Sequence, residues 1–343
     1  MNARFAKTDE IKHWNSHILK NPDNGNIFQG YEFAEQKKLS GWLIRYVIVD
    51  NIAILILEKH ITLMGKLWYI PKGPGVNSTE QLSKLLVILH RFALKNAVFT
   101  IKIEPEIQLG SNLNNLNITA TRPIQPNFST VLMNINPDID TILSNLPQKG
   151  RHAIRRAKRD GVIVKKVVSS DRNCRIMYDL LYETAQDAKF GVRSFNYYRE
   201  YWQRYETADI GQLFFAFYKG KVIAGAYVLA FGIKGTYKDG ASIRQKTAYG
   251  ASHLLQWHAI KWLKTKGVSI YDLCGAPPID QIKNTNHPHY GIGLFKTSLS
   301  KNITQYIGAY EVPVKNLRSK LWTKYIEKIV RRIHYKIKHE SYY

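Results

Sequence analysis

Residues 213–231 read LFFAFYKGKVIAGAYVLAF, and this stretch decides the fold prediction. Two runs rich in aromatic and β-branched residues flank Lys219-Gly220-Lys221, a short turn typical of a β-hairpin. Residues 235–237 continue the sheet. The helix that follows carries apolar residues on adjacent turns, at Leu254, Leu255, Trp257, Ile260 and Leu263. It stops before Gly267, and residues 269–273 form the strand that ends the unit.

The same order of elements occurs earlier in the chain. A hairpin covers residues 46–57 and turns at Asp50-Asn51, and a third strand covers residues 67–70. The helix after it has apolar positions at Leu82, Leu85, Leu86, Leu89 and Phe92. A strand over residues 98–103 closes this unit. The repeated order predicts a duplicated α/β unit.

Turn signals between the two repeats set the expected domain boundaries. Asn136-Pro137 and Leu146-Pro147 interrupt the pattern before a basic helix. We expect a first domain at residues 1–145, a second at 146–312 and a basic C-terminal helix at 313–343. In that helix, apolar residues recur every three or four positions between Lys320 and Lys338. We favour packing of its apolar face on the second domain over a surface that collects anions.

The composition favours partners that carry negative charge. The chain has 343 residues and a net charge of +24, which attracts nucleic acid, anionic lipid or phosphorylated substrates. Cys174 and Cys274 are the only cysteines and form no paired motif, which indicates a reducing compartment. No apolar stretch approaches the roughly 20 residues of a membrane-spanning helix. The first residues lack the apolar core of a signal peptide, so we expect a cytoplasmic protein.

The repeated hairpin, helix and strand resemble the GNAT acyltransferase fold in tandem, an α/β class with mixed sheets. GNAT enzymes hold coenzyme A pyrophosphate on an Arg/Gln-x-x-Gly-x-Gly/Ala turn. Here residues 246–251 carry Thr247 at the Arg/Gln position, so we expect no cofactor. His253 and His258 are five positions apart, which does not place both on one helix face, so we expect no metal.

Seven segments in order resemble motifs of the FemABX family. They are QGYEFAEQK at 29–37, IKIEP at 101–105, IRRAKRDGV at 154–162, RSFNY at 193–197, Tyr237, YDLCG at 271–275 and GIGLFK at 291–296. Phe33 replaces the tryptophan of the first motif. Long members of the family have a helical hairpin arm, for which residues 201–213 leave no room. The chain therefore resembles the short, armless, FemX-like type, which puts a soluble nucleotide-linked precursor ahead of a lipid-linked one.

The resemblance implies a non-ribosomal aminoacyltransferase that moves an amino acid from aminoacyl-tRNA to a peptidoglycan precursor. Its implied precursor-binding residues, around the diphosphate, are Lys37, Arg193, Tyr197 and Tyr237. Lys296 would stabilise the tetrahedral oxyanion, Phe295 would shape the pocket and Glu104 would help remove a proton from the amine. For tRNA contact we single out the basic cluster Lys149, Arg151, Arg155, Arg156, Lys158 and Arg159.

Two other functions stay open at this point. One is an acyl-CoA-dependent N-acyltransferase of the same fold, and the other is a non-catalytic basic protein that binds RNA or a membrane surface. The precursor could be UDP-linked or lipid-linked, and a lipid-linked one would imply peripheral contact with the inner membrane surface. We expect a monomer.

Overall fold

The computed structural model describes residues 2–113, 116–125, 128–188, 191–243, 248–338 and 342–343. The chain divides into two compact units. One consists of Met1–Phe128 together with Gln305–Tyr343, and the other of Ser129–Thr304. Each unit is built around its own sheet and its own apolar core.

Strands and helices follow one another in a mixed α/β order. The strands are β1 Ala3–Phe5, β2 Leu43–Val49, β3 Ile52–Ile61, β4 Gly65–Ile70, β5 Val98–Ile103, β6 Thr119–Thr121, β7 Ser129–Asn134, β8 Ile163–Val167, β9 Gly211–Tyr218, β10 Lys221–Phe231, β11 Lys234–Ser242, β12 Ile270–Gly275, β13 Ile303–Gln305 and β14 Ala309–Pro313. The helices are α1 Thr8–Lys12, α2 Trp14–Leu19, α3 Tyr31–Leu39, α4 Thr79–Lys95, α5 Ile139–Asn145, α6 Gln148–Arg159, α7 Asp171–Ala188, α8 Phe195–Thr207, α9 Ala251–Thr265, α10 Tyr290–Thr297, α11 Asn316–Leu321 and α12 Glu327–Lys338. A π-helical turn, Trp322–Ile326, joins α11 to α12.

The sheet of the first unit has the order β1-β2-β3-β4-β5-β14-β6. The β2–β3 hairpin turns at Asp50, whose φ is 51°. Helix α4 begins after Ser78, whose side chain accepts a hydrogen bond from the Gln81 amide. The predicted leucine face of α4 is buried, and β4 and β5 on either side of this crossover run parallel.

The sheet of the second unit has the order β13-β7-β12-β11-β10-β9-β8. The β9–β10 turn uses positive φ at both Lys219 and Gly220, 48° and 78°, the geometry that matches the twist of a hairpin. Helix α9 then connects β11 to the parallel strand β12. Both sheets thus contain a hairpin, a third strand, a helix and a parallel strand, so the tandem pair of GNAT-like domains is confirmed.

The units are made from other chain segments than the expected domains at 1–145, 146–312 and 313–343. Strand β7 pairs antiparallel with β12 in the second sheet, and β14 pairs antiparallel with β5 in the first. The helices after β14 accordingly lie in the first unit. Local periodicity could not reveal this exchange, because it identifies a strand but not the strand beside it.

The expected packing of the C-terminal helix is wrong. The helix lies in the first unit, and Glu327 is the buried residue of α12. Ile329, Ile333 and Ile337 are instead 54%, 52% and 68% exposed. Lys102 Nζ donates to Glu327 Oε1 at 2.6 Å, and this buried ion pair, together with the fully buried Trp322, holds the inner side of the helical segment.

Helix α8 and strand β9 are joined by residues 208–210, so no helical arm is inserted within the described residues 191–243. In the part of the chain that the structure describes, no helix combines the length and the apolar character needed to cross a bilayer.

Candidate functional site

Lys37 is a buried cation on α3, with 4% of the residue exposed. Its Nζ lies 5.4 Å from the centre of the Phe33 ring. Phe33, which replaces the tryptophan of the family motif, packs edge-on against Phe28. The replacement therefore keeps an aromatic ring beside the ammonium group.

Glu104, directly after β5, holds a neighbouring loop. The Tyr69 hydroxyl donates to Oε2 at 2.6 Å, and the backbone amides of Ile124 and Gln125 donate to Oε1 at 2.5 and 3.0 Å. Burial raises the pKa of Tyr69 well above its usual value, and the Glu104 carboxylate adds to the shift. Both carboxylate oxygens thus have donors, and the role of Glu104 in proton removal stays a prediction.

Arg193 and Tyr197 come together at the start of α8 in the second unit. Ser194 caps the helix by accepting a hydrogen bond from the Tyr197 amide. The Arg193 guanidinium carbon lies 4.6 Å from the centre of the Tyr197 ring. Tyr178 donates its hydroxyl to the Arg193 carbonyl oxygen at 3.0 Å. The turn before α8 thus places the Arg193 guanidinium over the Tyr197 ring as a stacked cation and phenol.

The second sheet opens where β11 and β12 diverge. Lys234–Thr236 pair in parallel with Ile270–Asp272, and within the described residues 234–243 and 270–275 these strands form no further pair. Tyr237 is the first residue of β11 beyond the last pair. The place where neighbouring strands of an α/β sheet separate is a common position for a binding cleft.

Two charged residues follow Tyr237 at this opening, and no motif in the sequence had indicated them. Lys238 Nζ lies 3.6 Å from Asp239 Oδ1, and Trp202 Nε1 donates to Asp239 Oδ2 at 3.0 Å. Burial opposes the charge of Lys238, but Asp239 and Tyr198 outweigh it, so the pKa of Lys238 is raised. Burial also raises the pKa of Tyr237, which stays a neutral phenol. Two adjacent charged residues within a strand are unusual, and this feature of the sequence could have indicated Lys238 and Asp239 as site residues.

Lys296 on α10 places its ammonium group at the end of β12. Its Nζ donates to the Gly275 carbonyl oxygen at 2.7 Å, and 7% of the residue is exposed. Burial lowers the pKa of Lys296, and the nearby Cys274 thiol acts against that shift. The same thiol interacts electrostatically with Tyr237 and Lys238. The second unit therefore brings Lys296 and the predicted Tyr237 to the same opening of the sheet.

Phe295 packs against the core of the second unit and fixes the end of α10. Its ring lies edge-on to His253, with 4.9 Å between the ring centres. His253 Nε2 is 2.8 Å from Ser298 Oγ, which donates to the Phe295 carbonyl oxygen at 2.5 Å. Burial, with a contribution from the Lys149 charge, lowers the pKa of His253 to about 4. A neutral imidazole thus supports the residue next to Lys296.

The six residues predicted to contact tRNA lie on α6 but are not equivalent. Arg151 Nη1 donates to the carbonyl oxygens of Ser144 and Leu146 at the end of α5, so it serves as a helix cap. Arg156 and Arg159 place Nε 3.4 and 3.7 Å from Asp160. The remaining three, Lys149, Arg155 and Lys158, are exposed and form no ion pair with any residue that the structure describes.

A surface groove of about 490 Å³ runs along the first turns of α6. Its lining residues are Gln148, Lys149, Arg151, His152 and Arg155. These side chains are polar or basic, and the α6 segment from 148 to 159 contains no acidic residue. The groove therefore has the charge of an anion-binding surface.

Helix α6 also covers the start of α9, where GNAT enzymes hold pyrophosphate. Gly250 precedes α9 with a φ of 81°, and a Cβ atom there would lie 2.1 Å from the Ala153 carbonyl oxygen of α6. Only glycine allows this approach of the two backbones. Thr247, at the Arg/Gln position of the acyl-CoA turn, lies outside the described residues.

Two family models match the chain. The FemAB family matches residues 10–123, and the acetyltransferase (GNAT) domain matches residues 145–283. Among curated proteins, the lipid II:glycine glycyltransferase of Staphylococcus aureus is 22% identical over 383 aligned positions. That alignment covers 86% of this chain and 89% of the relative.

Solved structures show the same fold. The crystal structure of FemX superposes with a TM-score of 0.81 at 18% identity and covers 94% of this chain and 100% of its own. A conserved protein of unknown function from Bacteroides thetaiotaomicron reaches a TM-score of 0.58 at 10% identity, over 90% of this chain and 98% of its own. The FemAB match over residues 10–123, the GNAT match and the relatives that cover most of the chain support its assignment to the FemABX family.

Proposed function

We propose that this protein is an aminoacyltransferase that transfers an amino acid from aminoacyl-tRNA to an amine on the stem pentapeptide of a peptidoglycan precursor. Such a transfer builds the interpeptide bridge of the cell wall. The observation that carries the proposal is the buried ammonium group of Lys296 beside the opening of the second sheet. Similarity to a lipid II:glycine glycyltransferase supports this class of acceptor.

Lys296 supplies the positive charge that this reaction needs. The acceptor amine attacks the ester carbonyl carbon, whose oxygen becomes an oxyanion in the tetrahedral intermediate. The C–O ester bond then breaks, an amide remains, and the ribose hydroxyl of tRNA leaves with the proton that the amine gives up. Nζ now donates to the Gly275 oxygen at 2.7 Å, and it can donate to the oxyanion as well. Burial strengthens such an interaction because little water screens it.

We assign Glu104 a positioning role in this reaction. Three donors already occupy its carboxylate, and they tie the segment at 124–125 to the end of β5. The contacts therefore support loop placement over removal of the amine proton.

The cations near the start of α8 are suited to the diphosphate of a precursor, the role that the resemblance also gives to Tyr237. Arg193 stacks on Tyr197 at the start of α8, and Lys238 adds a second cation on β11. Charged donors form the stronger hydrogen bonds to phosphate oxygens, and phenols add neutral donors. We give Lys37 the same role in the first unit.

The exposed cations of α6 are proposed to contact the tRNA backbone. Lys149, Arg155 and Lys158 carry this assignment, because Arg151 caps α5 and Asp160 partly neutralises Arg156 and Arg159. Contacts of this kind depend on salt and not on sequence. A tRNA-dependent transfer takes place in the cytoplasm and contributes to cell-wall growth and cell shape.

An acyl-CoA-dependent transfer is the second candidate, since the GNAT fold supports it. The close contact of Gly250 with Ala153 argues against it, because the α6 backbone lies where the pyrophosphate would approach α9.

The decisive experiment mixes the purified protein with a pool of aminoacyl-tRNAs and either a UDP-linked or a lipid-linked precursor. Mass spectrometry should show a gain of one or more aminoacyl residues on one precursor, and ribonuclease treatment of the tRNA should abolish it. Transfer from acyl-CoA in place of tRNA would establish the second candidate. Failure of both donors, with tRNA still bound, would identify a non-catalytic RNA-binding protein.

A further inference from the structure

A basic residue followed by an apolar one occurs at every fourth position of the C-terminal helical segment. The five pairs are Lys320-Leu321, Lys324-Tyr325, Lys328-Ile329, Arg332-Ile333 and Lys336-Ile337. Four residues turn through about 400° of an α-helix, about 40° more than one full turn, so each series forms a row that winds slowly around the helix. One row is apolar and its neighbour is cationic. We call these the apolar row and the cationic row.

The apolar row faces solvent. The exposed fractions are 41% for Leu321, 54% for Tyr325, 54% for Ile329, 52% for Ile333 and 68% for Ile337. Leu317, one step earlier in the series, is 73% exposed. An amphipathic helix of a globular protein normally turns such residues toward the core. A continuous exposed apolar row therefore indicates a surface for interaction.

Polar contacts on the opposite side hold the helix in this orientation. Glu327 accepts hydrogen bonds from Lys102 Nζ at 2.6 Å and from the Tyr343 hydroxyl at 2.7 Å. Before them, Trp322 is fully buried and packs edge-on against Phe99, with 5.8 Å between ring centres. The inner side of the helix is thus fixed at two places, and the apolar row must point outward.

The cationic row has no acidic counterpart on the exposed side. Glu327, the single acidic residue between 315 and 338, is buried in its pair with Lys102. Lys324, Lys328, Arg332 and Lys336 are exposed and form no ion pair with any described residue. The outer surface of the helix therefore combines exposed hydrocarbon with uncompensated positive charge.

We propose that this surface docks onto an anionic lipid bilayer, with the helix lying in the plane of the interface. The apolar row would enter the boundary between head groups and acyl chains, and the cationic row would reach the lipid phosphates. A nucleic acid would match the cations but leave the isoleucines in water. A second copy of the chain would bring two strongly basic surfaces together. A bilayer satisfies both rows at once.

This inference does not depend on the proposed enzymatic activity, since it needs neither substrate nor turnover. If both hold, the helix brings the enzyme to the surface that carries lipid-linked precursors.

Sedimentation with lipid vesicles tests the proposal on the full chain. Vesicles of phosphatidylglycerol and phosphatidylcholine should bring the protein down, and vesicles of phosphatidylcholine alone should not. Lys328→Gln/Arg332→Gln should weaken partitioning about 30-fold, because each cation near the surface contributes about 1 kcal/mol and 1.4 kcal/mol is tenfold. Ile329→Ser/Ile333→Ser should weaken it by about tenfold or more.

Helix α4 of the same unit provides matched controls. Arg91→Gln/Lys95→Gln removes the same charge from the exposed side of α4, and Val87→Ser/Leu94→Ser removes apolar side chains that are 52% and 50% exposed. Both controls should sediment as the unchanged protein does. Circular dichroism checks that each variant is folded. Absence of sedimentation with anionic vesicles, or equal losses in the α12 and α4 variants, would overturn the proposal. So would a loss of tRNA binding in the α12 variants with vesicle binding intact.

Discussion

Replacing Lys102 with methionine should destabilise the protein far more than the same replacement at Lys84. The two lysines form ion pairs of equal length, since each Nζ lies 2.6 Å from a glutamate oxygen, of Glu327 and Glu80 respectively. They differ in burial. The Lys102 side chain is 0% exposed on β5, whereas that of Lys84 is 60% exposed on α4.

The expected loss of stability follows from the carboxylates that each substitution leaves without a cation. Lys102→Met leaves the carboxylates of Glu327 and Glu311 buried together without their cation, which lies 2.6 and 3.4 Å from them. Loss of one partner from a buried ion pair costs about 3–5 kcal/mol. Lys84→Met breaks an exposed i, i+4 pair, which contributes about 0.3–0.5 kcal/mol.

The loss of stability caused by Lys102→Met should also depend on pH. Burial raises the pKa of Glu311, and the Lys102 charge opposes this shift. The folded protein therefore retains a proton that the unfolded chain releases, so stability falls as pH rises above the ordinary carboxyl range. Lys102→Met removes the opposing charge and enlarges this effect. The variant should be less destabilised at pH 5 than at pH 8.

Urea unfolding followed by tryptophan fluorescence at both pH values measures these differences, with Lys84→Met as the matched variant. The reasoning would be refuted by equal losses at the two lysines. If Lys102→Met lowered the free energy of unfolding by the same amount at pH 5 and pH 8, the explanation by buried carboxylates would be refuted.

Two predictions concern the site. Lys296→Met should lower the turnover rate by about 100- to 1,000-fold with precursor affinity nearly unchanged, as for loss of an oxyanion donor, while the exposed Lys301→Met should not. Weaker binding at normal turnover would instead make Lys296 a binding residue. Glu104→Gln should keep most activity, because its amide oxygen can accept from the 124 and 125 amides and its NH₂ can donate to Tyr69. A loss of about 100-fold or more in a stable variant would restore the proton-acceptor role.

Local patterns predicted the elements of the fold well. The strand at residues 98–103 has the expected bounds, and the α4 leucines are buried as their spacing indicates. Turn residues and apolar periodicity act over a few positions, so the sequence displays them directly. The exchange of β7 and β14 depends on partners far along the chain, and nothing local encodes it.

The site residues also divide into those that a local motif indicates and those whose position depends on distant parts of the chain. Arg193 and Tyr197 stack as the Arg-x-x-x-Tyr motif pairs them, although Arg193 precedes the Ser194 cap and lies outside α8. The place of Lys238 at the site could not be predicted from the sequence, because it depends on where β11 and β12 separate. In the C-terminal helix, periodicity identifies an apolar side, but the buried Lys102 decides which side meets the protein.

The exchange of β7 and β14 also sets an order of events during synthesis. Residues 129–304 are continuous, so the second unit can complete its sheet as soon as they have left the ribosome. The first unit must wait, because β14, with Val312 in its core, is among the last segments made. The unit whose first strands are translated earliest therefore finishes folding last, and a chain cut after residue 128 would lack the strand that lies between β5 and β6.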